Sequence, residues 1–146
     1  HVRSRRQRQM CIRDRIILDQ QEVADMINSI HSVFYKAILM LLYSSGLRNF
    51  ELRKLKITDI DSKRRMIRVD QGKGNKDRYA LLSPLALAAL RTYWRLYRTN
   101  QPQVKQSQYL FIPTKNSLGV YDKALSTTAL DYIVKTALKT ANVKKK

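Results

Sequence analysis

The sequence predicts an α+β domain, mainly helical, with a small antiparallel sheet of two or three strands packed on the helices. Three observations carry this. Apolar residues recur at helical spacing in stretches that begin near Asp19, Ser32, Ser83 and Ser126. The period changes to two at Met66–Asp70 and Tyr79–Leu81, and the residues between include two glycines and an asparagine, which is hairpin chemistry. The chain has 146 residues, 44% of them hydrophobic, which suits one compact domain with a real core.

The elements follow in order. Asp19 with Glu22 reads as a capping box, and Val23, Met26, Ile27 and Ile30 then share one helical face. A second helix covers 32–44. Its stripe of Val33, Phe34, Ala37, Ile38, Leu41 and Leu42 is wide enough for a central helix. Gly46 stops it. A short third helix runs from Asn49 to Leu55 with Phe50, Leu52 and Leu55 partly buried. Residues 57–60 are a candidate short strand. In 66–70, Ile67 and Val69 point to one face. Ser83 and Pro84 read as N-cap and first helical position, and Leu87, Leu90, Trp94 and Tyr97 continue that helix's inner face, with Trp94 as a core anchor. The tyrosines are explained mostly as packing. Residues 99–108 are polar and read as a loop, and Tyr109–Pro113 as a short extended segment. Ser126 caps a last helix that buries Leu130, Ile133, Val134, Ala137, Leu138 and Ala141.

Charge points to the partner. The chain carries 29 Lys and Arg against 11 Asp and Glu, a net +18. Six arginines and one aspartate lie in residues 1–15, and three lysines end the chain; without these, residues 16–143 still carry +10. A basic body of this kind fits a polyanion, and double-stranded DNA is the expected partner. Residues 1–15 read as a basic arm, a linker or non-native sequence, and residues 16–146 as the domain. Cys11 is the only cysteine, so no intrachain disulfide forms. His1 and His31 have no spaced acidic partners, and neither a metal nor another cofactor is expected. No apolar run reaches the ~18–20 residues that cross a bilayer, so no membrane association is expected. A cytoplasmic protein is the resulting expectation.

Two segments carry the candidate chemistry. Arg48 stands where one helix ends and the next begins, a place where a rigid donor fork and backbone N–H groups suit a phosphate. The alternative is a surface arginine paired with Glu51 or Glu22. Glu51, three residues on, either orients Arg48 or helps start the helix. Lys73 lies between two glycines at a hairpin tip and can bring a proton donor to a target; the alternative is a solvated turn lysine. Lys76 and Arg78 favour a phosphate-facing hairpin, although Asp77 mixes the charge. The run lacks the spacing of a nucleotide-binding P-loop.

These segments also resemble a known family. Tyr43-Ser44-Ser45-Gly46-Leu47-Arg48-Asn49-Phe50-Glu51-Leu52-Arg53-Lys54-Leu55 resembles the first arginine box of the tyrosine recombinases, the phage-integrase family. Asp59-Ile60-Asp61, Met66–Asp70 and Gly72-Lys73-Gly74-Asn75-Lys76-Asp77-Arg78 resemble that family's β-hairpin. Leu110-Phe111-Ile112-Pro113 resembles a following segment in Xer-like and integron-type members. The resemblance spans roughly residues 19–143. It implies strand exchange through a 3′-phosphotyrosine intermediate, with no metal or nucleotide. Arg48 is then a clamp on non-bridging oxygens, Lys73 the general acid for the leaving 5′-oxygen, and Glu51 an accessory acidic residue. Lys76 and Arg78 become DNA contacts. Such proteins assemble as homo-oligomers on DNA.

The sequence also departs from the family pattern. The second box, of His-x-x-Arg type, is absent, as are the later His/Trp position and the nucleophilic tyrosine. None of the eight tyrosines is a candidate for that role. The expectation is the first half of a tyrosine-recombinase catalytic domain, inactive by itself, without the preceding core-binding domain. The rival readings are a non-catalytic DNA-binding module or decayed recombinase and, more distantly, an RNA-binding protein.

Overall fold

The computed structural model describes residues 18–70, 77–100, 107–112 and 124–141. Helix α1 spans Gln20–Ser29 and α2 spans Val33–Ser45. A short α3 covers Asn49–Arg53, followed by a 3₁₀ turn at Ile57–Asp59. Strands β1 (Ile60–Asp61), β2 (Met66–Val69) and β3 (Arg78–Leu81) form one antiparallel sheet in that order. Helix α4 (Pro84–Tyr93) runs into a π turn at Trp94–Arg98, and α5 covers Thr127–Thr140. This is the expected mainly helical fold with a three-stranded sheet.

Local chemistry sets the helix starts. Asp19 and Glu22 exchange reciprocal bonds of 2.8 and 2.9 Å, the expected capping box. Ser32, Ser83 and Ser126 each accept a backbone N–H three residues on. Gly46 ends α2 in the left-handed conformation, φ 63°, with its N–H on the Leu42 carbonyl.

Packing follows the apolar stripes. Helix α2 is central: Ala37, Ile38 and Leu41 are fully buried. It lies along α4, while α5 rests on α1 and α3. Ile67, Val69 and Ala80 turn the inner face of the sheet toward this core. The segment 107–112 joins by pairing with 55–57, through Leu110 N–H to the Leu55 carbonyl and Ile57 N–H to the Gln108 carbonyl.

Some details differ from the sequence expectation, among them Phe50, which is exposed, and the third helix, which ends at Arg53. The strand placed at 57–60 is a 3₁₀ turn followed by β1, because the Asp59 carboxylate accepts the Lys56 N–H and tightens the chain there. Trp94 is 38% exposed and is no core anchor. Tyr93 fills the buried place instead, against Phe34 and Phe111, and Trp94 lies over the Arg98 guanidinium at 5.1 Å. Tyr43, Tyr79 and Tyr132 are exposed rather than packed.

Arg98 is buried at 1% exposure. Its guanidinium donates to the carbonyls of Ser107, Tyr109 and Leu110. Tyr93 Oη donates to the same Leu110 carbonyl at 3.0 Å. Burial pulls the Arg98 pKa down, opposed by Tyr93, yet arginine keeps its charge. Burial likewise raises the Tyr93 phenol well above the ordinary tyrosine range, opposed by Arg98.

A pH prediction follows from Tyr93. Its raised folded pKa makes the neutral phenol the native form, while the unfolded chain ionises near ~10. Its contribution is therefore complete below about pH 10 and is lost as pH rises further. Urea midpoints should fall above about pH 10, less steeply in Tyr93→Phe, which costs about 1 kcal/mol at neutral pH. Equal steepness in both proteins would assign the alkaline loss to other groups.

Candidate functional site

The site is built on the corner between α2 and α3. Gly46 turns the chain in a conformation that side chains resist, and Leu47 is buried beneath it. Arg48 is then the N-cap of α3, extended at φ −73° and ψ 158°, with an exposed side chain. Among the described residues no hydrogen bond or ion pair engages its guanidinium. Its backbone N–H is held: it donates to Glu51 Oε2 at 2.7 Å.

The Glu51 side chain has no exposure. Besides the Arg48 N–H, it accepts a fork from Arg78, with Nη2 at 2.6 Å from Oε2 and Nε at 3.4 Å from Oε1. Glu51 thus starts α3 and supports Arg48 through the backbone, rather than by pairing with the Arg48 guanidinium. Arg78 sits at the first residue of β3, with 40% of its side chain exposed. At the other end of β3, Ser45 Oγ donates to the Leu81 carbonyl at 2.8 Å. The corner is therefore tied to both ends of that strand.

Neighbouring cations are engaged as well. Arg53 donates to Asn49 Oδ1 at 2.7 Å and to the Leu125 carbonyl at 3.2 Å, joining α3 to the start of α5. Arg68, on the outer face of β2, pairs with Asp77 at 2.9 Å, and this bond raises its pKa. Lys73 and Lys76 lie outside the described residues. His31 is exposed in the link between α1 and α2.

A cleft of about 480 Å³ borders Glu51. Lys54, Lys56 and Arg68 line it together with Asp59 and Asp70, and Arg48 does not. Its balanced lining is unlike a polyanion pocket, so the exposed corner, not the cleft, is the candidate site. Among the described residues no group of three or more His, Cys, Asp or Glu could hold a metal ion, and no helix is long and apolar enough to cross a membrane.

Sequence reasoning missed Ser45, Arg53 and Arg68. It also missed the Glu51–Arg78 bridge, although a signal existed. Arg78 is two residues from inward-facing Ala80, so alternation puts it on the core side of β3.

An exposed arginine on a corner between two helices, braced by a three-stranded hairpin sheet, defines a class that sequence comparison then identifies. The model of the phage integrase family matches residues 17–146, and the chain belongs to that family, the tyrosine recombinases. It is 49% identical over 83 residues to the "Putative integrase/recombinase y4eF" of Sinorhizobium fredii, covering 57% of this chain and 33% of the relative. It is 33% identical over 100 residues to the tyrosine recombinase XerA of Pyrococcus horikoshii, covering 68% of this chain and 33% of the relative. The chain spans about a third of the length of these curated relatives. The crystal structure of a XerA recombinase superposes with a TM-score of 0.78 at 27% identity, over 90% of this chain and 44% of that one. The XerH recombinase bound to its difH substrate shares the fold, with a TM-score of 0.70 at 22% identity, over 88% of this chain and 37% of that one.

The buried carboxylate generates a stability prediction. Arg78→Met strands Glu51 without its fork and should cost about 2 kcal/mol in urea denaturation, less than for a fully buried pair because Arg78 is partly exposed. The double variant Glu51→Gln/Arg78→Met should recover more than half of that loss. Losses that simply add would show that the two groups are not coupled.

Proposed function

We propose that residues 16–146 are part of the catalytic domain of a site-specific DNA recombinase, which cuts and rejoins double-stranded DNA through a 3′-phosphotyrosine link. The observation that carries this reading is the Arg48 corner. A guanidinium is held out to solvent on a backbone fixed by a buried carboxylate, in a chain of the phage integrase family with a basic body. The XerH site-specific recombinase, of the same fold and bound to its difH substrate, supports this reading.

In this reading Arg48 donates two bonds to the non-bridging oxygens of the scissile phosphate and stabilises charge as the phosphorane forms. A tyrosine oxygen, supplied from outside these 146 residues, bonds to phosphorus while the bond to the 5′-oxygen breaks. Lys73 gives the leaving oxygen its proton, and a free 5′-hydroxyl results. Rejoining reverses each transfer, so the phosphodiester energy is conserved without nucleotide or metal. Glu51 keeps the Arg48 backbone in place. Lys76, three residues after Lys73, contacts the DNA backbone, whereas Arg78 is already engaged on Glu51. The assembly on DNA is a homo-oligomer, and the working compartment is the cytoplasm.

The test uses a suicide duplex that traps the covalent intermediate. The 146 residues alone should bind duplex DNA, more weakly as salt rises, and yield no adduct, since neither histidine opens a His-x-x-Arg motif. Expressed with the sequence that adjoins them in their reading frame, they should form the adduct. There, Lys73→Ala should slow cleavage by about 100-fold or more while duplex affinity changes little. Arg48→Lys should be similarly impaired, because an ammonium cannot reproduce the fork. Duplex binding without any adduct from the extended protein would favour a non-catalytic DNA-binding module.

A further inference from the structure

From the bonding around Glu51 we infer that Arg78 is a positioning residue, one that acts on the scissile phosphate through Glu51 and Arg48 rather than by touching DNA. The inference rests on the reading of Arg48 as a phosphate clamp and adds a residue to that site.

The argument starts with the carboxylate. A side chain with no exposure has lost its hydration, and an isolated buried carboxylate is costly. Arg78 offsets that cost with two donors in fork geometry. The same oxygen that takes the shorter Arg78 bond, Oε2, also takes the Arg48 N–H. Two donors from separate elements thus meet on one oxygen. Removing the Arg78 cation leaves the carboxylate either to draw in water or to turn, and each response disturbs the bond that sets the Arg48 backbone.

The strand side of the brace is equally specific. Arg78 opens β3, one residue after the 71–76 segment, and its backbone is fixed in register opposite Val69. Ser45 fastens the far end of β3 to the last turn of α2. Arg48 lies between the two fastenings in sequence, three residues after Ser45 and three before Glu51. The brace therefore couples β3 to the turn that presents the guanidinium. A guanidinium engaged on a buried carboxylate is also a poor phosphate ligand, because the phosphate has to compete with that fork.

A thermodynamic cycle on duplex binding tests this with the chain as it stands. Affinity for a short DNA duplex is measured at several salt concentrations for wild type, Arg48→Ala, Arg78→Met and the double variant. Arg48→Ala should weaken binding by about tenfold, the loss expected of a charge-assisted contact. Arg78→Met should weaken it several-fold in the wild-type background and by less than twofold in the Arg48→Ala background. Independent, multiplying losses, with the salt slope reduced by about one for each variant, would make Arg78 a direct phosphate contact and overturn the inference. Glu51→Gln/Arg78→Met guards against misfolding, since it removes the stranded charge and keeps an oxygen for the Arg48 N–H. It should show the same dependence on Arg48, and loss in this variant that persists undiminished without Arg48 also counts against positioning. If Arg48→Ala binds as well as wild type, it is the clamp reading that fails, an outcome distinct from multiplying losses.

Discussion

The carboxylate of Glu51 is the point on which the rest of the site depends. It is fully buried, and an ion in that position is tolerated only where its oxygens are occupied by strong donors. Those donors come from separate elements: the backbone of the α2–α3 corner and the first residue of β3. The requirement to satisfy one carboxylate thus fixes the corner against the sheet. A neutral apolar side chain at position 51 could fill the same space, but it would leave the Arg48 N–H and the Arg78 fork unanswered.

A second buried charge does comparable work beneath the 107–110 segment. Arg98 ties down three carbonyls of the 107–110 chain, which has no helix and only one bridge of its own. Tyr93 adds a fourth bond to the same stretch, and the aromatic cluster of Phe34, Tyr93, Tyr97 and Phe111 packs around it. In both places a desolvated ion orders irregular backbone that apolar packing alone specifies poorly. Regular elements need no such help, since their backbone groups satisfy one another.

This division explains what the sequence revealed. Capping residues and apolar stripes are local signals, so Asp19 with Glu22, Ser32, Ser83, Ser126 and the stop at Gly46 were all legible. Strands β2 and β3 were legible from the change of period; the third was only a candidate, placed at 57–60, where the chain makes a 3₁₀ turn before β1. The partner of Glu51 was not legible by spacing, because Arg78 lies 27 residues away and meets it only when the hairpin folds back. The placement of Trp94 failed for another reason. Its helical spacing from Leu90 suits a core face, but Tyr93 takes the buried place and the π turn from Trp94 to Arg98 then shifts the register. Arg48 itself was found by its position after Gly46 and Leu47; what the sequence could not supply was whether its side chain is already spent on a neighbour.

That last question separates Arg48 from the other arginines around it. Arg53 is held by Asn49 and the Leu125 carbonyl, Arg68 by Asp77, and Arg78 by Glu51. Each of these cations stabilises the frame, and each would have to give up a partner to bind a phosphate. Among the described residues the Arg48 guanidinium has no partner to give up, since its backbone carries the structural bond. A rigid backbone with an uncommitted fork lowers the ordering cost of clamping an anion without spending the charge beforehand. In a body this basic, net charge attracts a polyanion to the surface generally. Selecting one phosphate requires a donor that is fixed in place and still unpaired, and of the four arginines at this corner and sheet Arg48 alone meets both conditions.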